Sequence, residues 1–139
     1  MSKIENKIHR VTNSEMKEIE KELAKMDYLK ICRIDGKKIK DRLEIYDILA
    51  EEFEFTKTWD DQYFIEYLSD LFDAMSLEKQ GFAIIIYDYS KAMPTSFWFK
   101  DDKKIIERTF EIACESYLVD CINYHNEYVE TFFNVYLVD

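Results

Sequence analysis

The clearest periodicity in the chain lies between Thr58 and Met75. Phe64, Leu68, Leu71, Phe72 and Met75 recur three or four residues apart, which puts them on one face of a helix. Tyr63, Glu66, Asp70 and Asp73 fall on the opposite side, with Tyr67 at its margin. Thr58 stands where a cap is needed, with Asp61 at the third helical position. Trp59 sits at the helix entrance, just ahead of the acidic face. The helix is predicted to end near Met75.

Similar patterns predict the other elements. Met16, Ile19, Leu23 and Met26 form a narrow apolar stripe over a helix from about Asn13 to Met26, and Thr12 with Glu15 fits a capping box. Tyr28 to Arg33 alternates apolar and basic residues, as a strand does, and Asp35-Gly36 then turns the chain. Asp41 can cap a helix running to about Phe53 that buries Leu43, Tyr46, Leu49, Ala50 and Phe53. Phe82 to Tyr87 is a continuous apolar run, suited to a strand covered on both faces. Asp88 to Lys100 reads as a loop. Asp101 or Asp102 caps a helix from about Lys103 to Tyr117. Thr131 to Val138 is aromatic and β-branched and reads as the last strand. Residues 1–12 read as a polar, partly extended lead-in, and 118–128 fit neither period.

The order after the first helix is β-α-α-β-α-β. Strands separated by helices predict an α/β fold with a small, three-stranded, mostly parallel sheet packed by helices. Residues 1–27 form an N-terminal extension with an extra helix, and residues 28–139 form the main domain.

Composition supports a packed core: 139 residues, nearly half of them apolar, with 10 Phe and 10 Tyr. Only 2 Gly and 1 Pro leave few tight turns, which disfavours an all-β fold and rules out a Gly-rich phosphate loop. The net charge of −10 is unevenly spread. Residues 1–40 hold 11 Lys/Arg against 7 Asp/Glu, whereas residues 41–80 hold 3 against 12. Such a middle repels phosphates and argues against a nucleic-acid partner. It favours steering toward a cationic one. Acidic surface that merely keeps the protein soluble is the plainer alternative. No apolar run approaches the roughly 20 residues of a membrane span, and the first residues lack an apolar signal core. Three widely spaced cysteines (Cys32, Cys114, Cys121) form neither a disulfide framework nor a zinc pattern. A cytoplasmic protein with reduced thiols is expected.

Catalytic chemistry is sparse. His9 and His125 have no Cys or Asp at metal-ligand spacing, Cys114 and Cys121 have no activating base, and no serine lies in a nucleophile elbow. Asp60 and Asp61 sit where a helix start keeps carboxylates ionised, unsuited to an acid–base pair. No enzyme, metal or cofactor is expected.

Four segments, taken in order, resemble one known family. They are Cys32-Arg-Ile-Asp-Gly-Lys-Lys-Ile39, Leu43-Glu-Ile-Tyr-Asp-Ile-Leu-Ala-Glu-Glu-Phe53, Trp59-Asp60 and Glu66-Tyr-Leu-Ser-Asp-Leu71. Their succession is similar to the barstar family of ribonuclease inhibitors and toxin immunity proteins, over about residues 28–139. Phe55-Thr-Lys-Thr58 replaces the family's aromatic-Gly-x-Asn segment, and two extra residues separate Trp59-Asp60 from Glu66. The resemblance implies an inhibitor, monomeric until it binds a basic ribonuclease or another cationic toxin. Glu66 corresponds best to the acidic plug in the middle of the helix, and Asp60, with Asp61 competing, to the acid after the Trp. The implied interface comprises Trp59, Asp60, Asp61, Tyr63, Glu66, Tyr67 and Asp70. Two other classes compete: an interaction module self-associating through Phe97-Trp98-Phe99, and a carboxylate-dependent hydrolase.

Overall fold

The computed structural model describes residues 5–71, 80–94, 101–117, 121–122, 128–129 and 131–139. The main elements are β1 (Ile8–Val11), α1 (Asn13–Leu23), β2 (Leu29–Asp35), α2 (Arg42–Glu52), α3 (Asp61–Ser69), β3 (Gln80–Tyr87), α4 (Asp102–Ser116), β4 (Cys121–Ile122), β5 (Tyr128–Val129) and β6 (Thr131–Val138). Strands β1, β6, β3 and β2 lie in that order in one sheet, and every pair is parallel. β4 and β5 form a separate antiparallel pair.

The α/β class and parallel pairing agree with the sequence, but the strand count does not. The main sheet has four strands, because Ile8–Val11 of the polar lead-in pairs with Val135–Val138 of β6. Four residues are too short for a period-2 signal to stand out, and tertiary contacts define this strand. The Asn6 side chain reaches the Tyr117 carbonyl and accepts from the Phe133 N–H, and Asn134 accepts from the Lys7 N–H and hydrogen-bonds His9 at 2.7 Å. Asn6 and Asn134 are buried, so these bonds satisfy groups that would otherwise be costly. The N-terminal helix is therefore no appendage. α1 joins β1 on one edge of the sheet to β2 on the other.

Alternation along β3 and β6 divides the core into two layers. Ala83, Ile85, Phe132, Tyr136 and Val138 meet Met16 and Leu23 of α1. Phe82, Ile84, Ile86, Phe133, Val135 and Leu137 meet the buried faces of α2, α3 and α4. The unbroken apolar run of β3 thus has helices on both sides, as its composition predicted.

Local signals held closely at several ends. Thr12 and Glu15 form the full capping box of α1, and Asp41 caps α2 through the Glu44 N–H. At β2, Gly36 follows the strand where a Cβ would collide with the carbonyl oxygens of Tyr87 and Asp88, so the ends of β2 and β3 can lie close together. Two assignments shift. The α3 cap is Asp60, whose carboxylate accepts from the Tyr63 N–H, while Thr58 accepts from the Asp60 N–H. Asp61 becomes the first helical residue, and the described helix ends at Ser69, short of Met75. At α4, Asp101 holds the cap position without a side-chain bond, and the Asp102 carboxylate, inside the helix, is bound to Arg42. The stretches 72–79 and 118–120, the Phe97-Trp98-Phe99 group and His125 lie outside the described residues.

Candidate partner-binding face

The connector after α2 returns the chain to the start of α3. Glu54 takes a left-handed conformation there (φ 59°). Phe55 then packs against Phe64 and Tyr67, with ring centroids 5.8 and 6.0 Å apart. Phe64 stacks on Tyr46 of α2 at 3.8 Å, and with Leu68 it anchors the inner face of α3.

The outer face presents most of the predicted contact residues together. Trp59 and Tyr63 are 65% and 55% exposed, and they are the two large hydrophobic side chains left exposed among the described residues. Isolated exposed apolar residues are ordinary, but here two large aromatic side chains are exposed within five residues at one helix entrance. Neither ring hangs loose. The Trp59 indole N–H donates to Asp47 of α2 at 3.1 Å, and Tyr63 stacks on Tyr67 at 6.4 Å. Asp60, Tyr63, Glu66 and Asp70 follow one another at three- and four-residue steps along the helix, and Tyr67 lies four residues beyond Tyr63. Asp60, Glu66 and Asp70 are exposed, and Tyr67 is half-buried.

Electrostatically this stripe is unbalanced. No Lys or Arg occurs in Asp61–Ser69. Glu66 and Asp70 are like charges four residues apart, and Asp70 occupies the C-terminal cap, where the helix dipole disfavours an anion. Glu66 makes no hydrogen bond or ion pair within the described structure. Asp60 is used locally as the cap, yet it remains exposed.

Asp61 has a different place. Both its oxygens receive hydrogen bonds from Arg42, at 3.0 and 3.1 Å, and the Tyr46 hydroxyl donates to it at 2.6 Å. Arg42 also binds Asp102, buried on α4, through its guanidinium at 2.7 Å and its backbone N–H at 3.0 Å. Partial burial pushes the Asp61 carboxyl up. The Arg42 and Tyr46 hydrogen bonds outweigh that and hold it below the usual carboxylate range. Burial, then the bond to Asp61, pushes the Tyr46 hydroxyl well up, so it stays a donor. Asp61 therefore spends its charge inside the protein, joining α3 to α2, and Arg42 extends the link to α4.

Sequence reasoning missed Arg42 and Asp102 here. An Arg just after the α2 cap reads as surface charge, and only tertiary proximity of three helix starts reveals the node. It also missed Asp47, which faces Trp59 from a different helix.

Other chemistry is sparse on the described surface. No group of three His, Cys, Asp or Glu among the described residues could hold a metal. Cys32 and Cys114 are free and buried, and burial pushes each thiol up to about 12, so neither is an activated nucleophile. Among the described residues, no helix is long and apolar enough to cross a membrane. No protein-family model, curated protein or solved structure matches the chain.

Proposed function

We propose that this chain is a non-catalytic inhibitor, acting in the cytoplasm, that docks α3 onto a basic ribonuclease or a related cationic toxin and occludes its active site. The observation that carries this reading is the pairing of exposed Trp59 and Tyr63 with a row of carboxylates on a helix that has no basic residue. Exposed aromatics supply the anchors that usually dominate interface energy. Carboxylates can take the place of a substrate phosphate among Arg, Lys and His side chains, through charge-assisted hydrogen bonds. The net charge of −10 would speed encounter with a cationic protein at low salt. The barstar-like order of segments supports the same reading, and the β2-α2-α3-β3-α4-β6 succession of the fold is compatible with it.

Three variants test it against a cationic microbial ribonuclease. Trp59→Ala should weaken binding by about 30-fold or more, the loss typical of an aromatic anchor. Glu66→Ala should weaken binding and flatten its salt dependence. Asp60→Asn keeps a capping oxygen while removing a charge, so it should slow association without unfolding the helix. Unchanged affinity in all three, with no salt dependence in the parent, would sink the proposed face.

A further inference from the structure

α3 has nine residues, and within it only Phe64 and Leu68 are buried. Isolated helices shorter than about 12–15 residues are marginal in water, so its order depends on tertiary contacts. Side chains from outside the helix grip both its ends. At the N-terminal end, Arg42 of α2 makes its paired hydrogen bonds to Asp61. At the C-terminal end, the buried Tyr117 hydroxyl, just past α4, donates to the Leu68 carbonyl at 2.6 Å and accepts from the Leu71 N–H at 3.1 Å. One hydroxyl thus satisfies a last-turn carbonyl and the first amide beyond the cap, groups a helix end otherwise leaves open.

We infer that Arg42 and Tyr117 are positioning residues for the α3 face, clamping the helix at both ends in the free protein so that Trp59, Tyr63 and Glu66 are presented ready-formed. This role rests on the docking reading proposed above. A segment that orders only on contact would bind more weakly, in proportion to the time it spends in the competent pose. The clamp removes that loss. It also explains why Asp61, although on an acidic helix, is directed inward: its charge is spent on orientation while Glu66 is left outward.

The chain carrying Tyr117→Phe, and separately Arg42→Lys, provides the test. The first keeps the ring that packs on Phe133 at 5.2 Å and removes only the hydroxyl, and the second keeps the charge and removes the fork. Amide hydrogen exchange should quicken by about tenfold or more across Asp61–Ser69 in each variant, while β3 and β6 amides stay within about twofold of the parent. Affinity for a cationic microbial ribonuclease should fall by about tenfold in Tyr117→Phe with an unchanged salt slope, because no charge on the face is altered. Unchanged α3 exchange in both variants overturns the inference. So does equal acceleration of α3 and the sheet, which would make the two residues supports of the whole fold. Failure of the parent chain to bind the ribonuclease overturns the docking reading, while α3 exchange still decides whether the clamp exists.

Discussion

α1 and α3 are both short amphipathic helices rich in acidic residues, yet their outer faces are built differently. On α1, Glu18 pairs with Lys21 and Glu22 with Lys25, each at 3.1 Å, and no large aromatic side chain is exposed. That surface neutralises itself between neighbours in sequence, as ordinary solvated faces do. α3 has no basic residue of its own, carries exposed aromatics at its entrance, and sends the Asp61 carboxylate inward to Arg42. Carboxylate count alone therefore does not distinguish these two faces. The distribution of counter-charges does.

The largest expected effect concerns the inward side of α3. Arg42→Met would strand the buried Asp102 carboxylate and free Asp61, at a cost of about 3–5 kcal/mol, read by urea unfolding. No single change on the outer face of α1 should approach that. A loss of under about 1 kcal/mol would show that the node is incidental and that α3 resembles α1 more than its geometry implies.

Acid sharpens the same contrast. The folded Asp61 carboxyl titrates below its ordinary value, so it contributes stability that is present above the unfolded carboxylate pKa of about 3.9. That stability is lost as pH falls through the folded value. Asp61→Asn should accordingly narrow the stability gap between neutral pH and about pH 3 relative to the parent chain, measured by thermal unfolding. An identical pH profile in the two proteins would remove Asp61 from the account of acid stability.

Smaller effects belong to α1. Thr12→Ala removes the side-chain half of its capping box and should cost about 1 kcal/mol. The double change Glu18→Ala and Glu22→Ala should alter stability by less than about 0.5 kcal/mol per pair and leave ribonuclease affinity within about twofold. A large loss of affinity there would move the docking surface off α3 and break the comparison.

Much of this arrangement was legible before the fold. The Thr12–Glu15 box, the Asp41 cap, the apolar β3 run and the inner stripe of α3 each depend on neighbours within a few residues, where spacing is sufficient information. Tyr63, Glu66 and Asp70 also face outward, as their separation from Phe64 and Leu68 implied, and Trp59 at the helix entrance is exposed beside them. Three features were not legible. β1 exists because Asn6, Lys7 and His9 reach Asn134, more than a hundred residues away. The α3 cap moved from Thr58 to Asp60, since a carboxylate in the right place competes well with a hydroxyl. Asp61 looked like part of the outer acidic row until α2 brought Arg42 and Tyr46 beside it.

The sequence by itself determined the helix and strand periods, the two-sided burial of β3 and the acidic–aromatic composition of α3. These follow from local stereochemistry and the spacing of apolar side chains. Only the tertiary structure decided which carboxylates are spent internally and which remain outward, and that the N-terminal segment completes the sheet. A charge finds its partner through space, and the partners of Asp61 and Asn134 lie on other elements of the chain.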